Sequence, residues 1–148
     1  MKPRRGTRRR NVLIIDTGKD IVGIFAVTKK VYRAYRGRRI AIALKRISAA
    51  DEIVTYNGKL RDLSDLAKFA DLPEDKEFSL KGIHNDMRSI CWSDRIPGSG
   101  LEQTYLRHKL EVPDFPDTHE GSNERDVHMT YHLWRLWKDN KLLVLDGL

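Results

Sequence analysis

The sequence predicts an α/β domain built on a mixed central sheet with flanking helices. Three observations lead there. Apolar, β-prone runs joined by very short connections fill residues 11–36, which calls for antiparallel strands. From residue 38 onward, apolar residues at helical spacing alternate with short strand-like runs, as parallel strands joined by helices require. At 148 residues the chain suits one domain with a substantial core.

The first strand is the run Val12-Leu13-Ile14-Ile15, which is apolar enough to be buried on both faces and ends at Asp16. Thr17-Gly18 reads as the bend after it. Residues 21–28 form the second strand, with Gly23 as a bulge or kink, and Lys29-Lys30 is a hairpin turn. Residues 31–36 alternate as a strand with one solvated face. After the break at Gly37, Ile40, Ala43, Leu44 and Ile47 mark a helix over 38–50. A strand over 53–56 and the Asn57-Gly58 turn lead to a second helix over 59–70. Residues 78–83 read as a strand ending at His84-Asn85-Asp86, residues 87–92 as a short helix, 95–100 as a loop and 101–110 as a helix. Ser122 is the expected N-cap of a long helix over 123–139, whose Tyr131, Trp134 and Trp137 pack a core. Residues 141–148 add a short strand.

Charge is segregated. Residues 1–10 hold six Lys or Arg and residues 21–50 hold eight, with no acid in either, against a net charge of +7 for the chain. The first segment reads as a flexible basic arm ahead of a single domain over 11–148. Both segments suit a polyanion, with carboxylates gathered elsewhere. The single cysteine, Cys91, excludes an internal disulfide framework and suits a reducing compartment, so a cytoplasmic protein is expected. No apolar run reaches the ~20 residues of a membrane span.

Aspartates recur at element ends: Asp16 after the first strand, Asp62 in the first turn of the second helix, and Asp126 in the first turn of the last helix. Asp16 at the end of a hydrophobic strand resembles the first motif of the DEDD-type 3′–5′ exonucleases. The stretch Glu52-Ile53-Val54-Thr55-Tyr56-Asn57-Gly58-Lys59-Leu60-Arg61-Asp62 is similar to their second motif, and Asn123-Glu124-Arg125-Asp126-Val127-His128-Met129-Thr130 to their third. Gly98-Ser99-Gly100 followed by residues 101–105 resembles a linking helix. The order and spacing are similar to the YprB-type ribonuclease-H-like exonuclease group. The resemblance implies a ribonuclease-H-like fold and hydrolysis of DNA or RNA from a single-stranded 3′ end, by two Mg²⁺ or Mn²⁺ ions. It implies that Asp16 bridges both ions, Asp62 holds the second, and Asp126 holds the first with the attacking water. Hard carboxylate oxygens suit these cations.

Two positions depart from that pattern. The first motif has a Glu two residues after its Asp, where this chain has Gly18; Asp20 and Asp86 are the available substitutes. The family's general base precedes the last Asp by five or four residues, positions held here by Gly121 and Ser122, with His119 farther back. A catalytically impaired nucleic-acid-binding module on the same fold is the alternative. Substrate contacts are expected from Asn57, Tyr32, Arg33, Arg36, Arg38 and Arg39, with Tyr35 beside them. A protein partner is compatible with the sequence. His128 and His132, one helical turn apart, lie about 200° and 240° round the helix from Asp126 and point away from the site. His84 reads as a satisfied local polar residue and Cys91 as buried.

Overall fold

The computed structural model describes residues 9–92, 99–143 and 145. Most of the basic arm (1–8), residues 95–98 of the predicted loop, and residues 144 and 146–148 of the predicted tail strand lie outside the described residues.

Strands β1 (Val12–Gly18), β2 (Ile21–Ala26), β3 (Val31–Tyr35), β4 (Glu52–Thr55) and β5 (Ile83–Asp86) form one sheet in the order β3-β2-β1-β4-β5. The pairs β1–β2 and β2–β3 are antiparallel, and β1–β4 and β4–β5 are parallel, so the mixed α/β sheet expected from the sequence is present. The helices are α1 (Ile40–Ala49, after a 3-10 turn at Gly37–Arg39), α2 (Asp62–Phe69), α3 (Met87–Cys91), α4 (Leu101–Arg107) and α5 (His119–Lys138).

Strand β1 is central because it is apolar on both sides. Leu13 and Ile15 join a core with Ala43 and Ile47 of α1 and Leu66 of α2. Val12 and Ile14 join a second core with Val127, Leu133 and Trp134 of α5. Leu13, Ile14 and Ile15 are at most 1% exposed, and each such side chain contributes about 1.5–3 kcal/mol by leaving water. Because side chains alternate along a strand, the two-sided burial sends Asp16 toward the α5 side and Thr17 toward α2.

Several expected boundaries move. Strand β1 continues through Asp16 to Gly18, because Thr17 and Gly18 pair with Val22 and Ile21. The turn is Lys19-Asp20, with Asp20 in the left-handed region at φ 54°. Gly23 forms no bulge, and its register opposite Asp16 is regular. Residues 78–82 are not a strand. Ser79 and Lys81 hydrogen-bond to Ser48 near the end of α1, and Phe78 and Leu80 pack on the α1/α2 core, so pairing with β4 starts only at Ile83. Helix α5 begins at His119, four residues before the expected start. Its cap is Thr118, whose hydroxyl accepts from the Gly121 N–H, not Ser122. Asp126 therefore lies in the interior of α5, beyond its first turn. In the tail, Leu145 makes one isolated bridge to Trp92. Arg10 belongs with the fold: its guanidinium lies 3.2 Å from Glu52 Oε1, a carboxylate with no exposure. No helix among the described residues is long and apolar enough to cross a membrane.

Candidate active site

Asp16 sits where β1 passes under α5. Its carbonyl and its carboxylate both accept from Asn123 Nδ2, at 2.9 and 3.3 Å. Asn123 is oriented in turn by the Tyr32 hydroxyl, which donates to its Oδ1 at 2.7 Å. Gly23 makes this approach possible, because a Cβ there would lie 1.6 Å from Asn123 Oδ1. The glycine opposite Asp16 is thus the opening through which α5 reaches the strand. Burial pushes the Asp16 carboxyl well above the usual carboxylate range, and the negative charges of Asp62 and Asp126 push it further.

Asp62 is the first residue of α2, which starts three residues later than the helix expected over 59–70. The Asn57-Gly58 turn before it is held by Asp86, which accepts from the N–H groups of Asn57, Lys59 and Arg88. Asn57 takes the left-handed conformation at φ 67°, which asparagine tolerates better than most residues. Asp86 is therefore occupied as a clamp and does not stand in for the ligand absent at Gly18; Asp20 is exposed in the β1–β2 turn and does not either.

Asp62 is 1% exposed. Its Oδ1 accepts from the Thr17 N–H at 3.3 Å and contacts the Thr17 hydroxyl at 2.7 Å, while Asp65 Oδ2 lies 2.7 Å from that same hydroxyl. A hydroxyl has one proton to donate, so both short contacts are satisfied together when one of the two carboxyls is protonated. Burial pushes the Asp62 carboxyl up to about 6, against the lowering effect of its Thr17 hydrogen bonds and Arg61, with Asp65 adding to the rise. Asp62 Oδ2 is buried and, among the described residues, has no hydrogen-bond partner.

Asp126 rises above the usual range by burial, opposed by the Arg125 guanidinium 3.4 Å away. With Asp16 and Arg61 it lines a cleft of two lobes. One, of about 320 Å³, adds Tyr56, Asn57, Arg88, Ser99, Gly100 and Leu101. The other, of about 540 Å³, runs past Gly18 to Asp117, His119, Ser122 and Asn123. The earlier start of α5 explains why His119 is there: seven residues from Asp126 on a helix returns to nearly the same face, about 10 Å along the axis. Asp62 does not line the cleft. Among the described residues no three His, Cys, Asp or Glu side chains are grouped so as to hold one ion. The cleft as built offers the carboxylates Asp16 and Asp126. That donor set fits a Mg²⁺ or Mn²⁺ ion that keeps waters and completes its shell from a substrate phosphate.

The other sequence candidates divide between two places. Asn57 lines the cleft. Tyr32, Arg33 and Arg39 meet instead in a groove of about 550 Å³ along the β3 edge, with Tyr35, Ile42 and Glu120. Tyr32 packs on the α5 side of the sheet and Tyr35 on the α1 side, where Arg46 donates to its hydroxyl, so the two rings do not form one stacking platform. Arg36 lies 4.0 Å from Glu120, and Arg38 is exposed. His128 contacts Phe25, Phe115 and Glu124, and His132 meets the Tyr105 hydroxyl, both off the cleft as their helical angle requires. His84 meets Thr55 Oγ1 at 2.8 Å, and Cys91 is buried with its thiol pushed up to about 12 by burial.

Sequence reasoning gave no site role to Arg61, Arg88, Thr17, Asp65 or Asn123. Asp65, three residues after Asp62, and Asn123, inside the third motif, were legible by helical spacing. A buried arginine in a five-residue helix leaves no such signal. Compared with known proteins, the chain matches no family model, no curated protein and no solved structure.

Proposed function

We propose that this chain is a ribonuclease-H-like, metal-dependent nuclease that shortens a single-stranded DNA or RNA end in the 3′–5′ direction. One observation carries the reading: Asp16 from β1 and Asp126 from α5 line the same cleft, near enough that the charge of Asp126 adds to the cost of ionising Asp16. Carboxylates brought together against their repulsion are relieved by a cation. Three antiparallel N-terminal strands followed by two parallel ones is the sheet that the exonuclease resemblance implies.

Asp16 and Asp126 hold the ion, and Asn123 with Tyr32 fixes the direction of the Asp16 carboxylate. A bound Mg²⁺ or Mn²⁺ supplies an activated water and stabilises the leaving oxygen of the phosphodiester. Asp62, engaged by Thr17 and outside the cleft lining, is not among the residues that would hold the ion in this arrangement. The basic β3 edge holds the backbone of the strand on its way to the cleft.

A second reading is favoured by Gly18 and by the engagement of Asp62 with Thr17 and Asp65. On that reading the chain binds nucleic acid without cleaving it. A 3′-labelled oligonucleotide with Mg²⁺ or Mn²⁺ separates the two. The nuclease releases label, EDTA stops it, and Asp126→Ala abolishes it. Salt-sensitive binding with no release from DNA or RNA under either metal selects the binding module and ends the nuclease reading.

A further inference from the structure

Arg88 is 8% exposed, yet it lines the cleft. Its guanidinium has one hydrogen-bond partner among the described residues, Ser99 Oγ at 2.6 Å from Nη2. No carboxylate among the described residues lies within ion-pair distance of it. Asp86, the nearest acid in sequence, takes the backbone N–H of Arg88 and two further N–H groups of the Asn57 turn. Arginine stays charged at any ordinary pH, so burial without a counter-charge is costly and the group cannot escape by losing its proton. The fold nevertheless holds it in place. Asp86 caps α3 two residues before it, and Ser99, its hydrogen-bond partner, sits where the Tyr56 hydroxyl donates to the Ser99 carbonyl.

We propose that Arg88 is the phosphate-binding residue of the smaller lobe, and that its ligand is the phosphate of a nucleotide at the end of a single strand. The guanidinium donors that find no partner among the described residues form a planar fork that matches two phosphate oxygens. Arg61 lines the same lobe and brings a second positive charge. Tyr56 and Leu101 give the lobe flat and apolar walls for the attached sugar or base, and its volume of about 320 Å³ lies at the small end for a ligand pocket. With Asp16 and Asp126 on the same cleft, a dianion without metal meets repulsion. The subsite therefore rests on the cation reading above for its full affinity, while the discrimination by Arg88 does not depend on cleavage.

The test is calorimetric binding of thymidine 5′-monophosphate, thymidine and inorganic phosphate to the whole chain, with Mg²⁺ and with EDTA. The nucleotide is expected to bind at least tenfold more tightly than the nucleoside in Mg²⁺, and Arg88→Met, checked for folding by circular dichroism, is expected to remove that difference. Arg88→Lys keeps the charge and loses the fork. It serves as the second variant should the methionine chain fail to fold, and about a tenfold loss for the nucleotide with no change for the nucleoside is expected from it. On a short single-stranded oligonucleotide, Arg88→Met lowers the slope of log K against log[salt] by about 0.7, the share of one phosphate contact. Equal binding of nucleotide and nucleoside by the wild type, unchanged nucleotide binding by a folded Arg88 variant, or inorganic phosphate binding as tightly as the nucleotide each overturns the proposal. Loss of the nuclease reading alone leaves it standing, because no turnover is measured.

Discussion

Asp62→Asn makes this protein more stable at neutral pH. The amide oxygen still accepts from the Thr17 N–H, the Thr17 hydroxyl gives its one proton to Asp65, and the charge at position 62 is removed. Burial, with a smaller push from Asp65 and against the Thr17 hydrogen bonds and Arg61, raises the Asp62 carboxyl from 3.8 to about 6. A carboxyl raised on folding contributes stability that is fully present below its unfolded value and is lost as pH climbs through its folded one. The wild type therefore forfeits about 3 kcal/mol between roughly pH 4 and pH 7, at about 1.4 kcal/mol per unit of pKa. The asparagine chain does not. In urea titrations read by tryptophan fluorescence in EDTA, the difference in stability between the two chains is near zero at pH 4–4.5. It grows to about 2–3 kcal/mol at pH 8, which at an m-value of roughly 1–3 kcal/mol/M moves the midpoint by about 1–2 M. A difference independent of pH, or an asparagine chain less stable at pH 8, refutes the account of Asp62 as a buried, partly protonated carboxyl.

Other substitutions test the supports of the site. Gly23→Ala places a Cβ 1.6 Å from Asn123 Oδ1, so Asn123 must leave Asp16; a loss of about 1–3 kcal/mol by thermal melting is expected, with nuclease activity falling further than stability. Thr104→Val leaves the Trp92 indole N–H without its acceptor and takes the Thr104 partner from the Tyr56 hydroxyl, for a loss of about 2–3 kcal/mol by urea titration.

The strand framework was legible because β1, β2 and β3 are short, apolar and closely joined, and such runs have few other ways to bury themselves. The shift of β5 was not legible. Phe78 and Leu80 are strand-like in composition, yet their burial is against helices, which periodicity over six residues does not distinguish. Ser122 and Thr118 are both competent caps, and only the backbone decides which N–H groups are free to be capped. Asp16, Asp62 and Asp126 could be picked from their expected places at element ends, though only Asp62 is at one. It was not legible that Asp62 is turned to Thr17 and Asp65 behind the cleft. That depends on Thr17 lying on the opposite face of β1 from Asp16, which follows only once β1 is known to continue past Asp16. Gly23 looked like a defect in a strand; its function as a gap for Asn123 is a contact across 100 residues of sequence.

Anomalous diffraction from crystals grown with Mn²⁺ and a single-stranded oligonucleotide measures the central claim most directly. The expected result is an anomalous peak at coordination distance from both the Asp16 and Asp126 carboxylates, with a phosphate oxygen completing the shell. Ordered nucleic acid in the crystal with no peak between those two carboxylates, or Mn²⁺ bound only elsewhere on the protein, contradicts it.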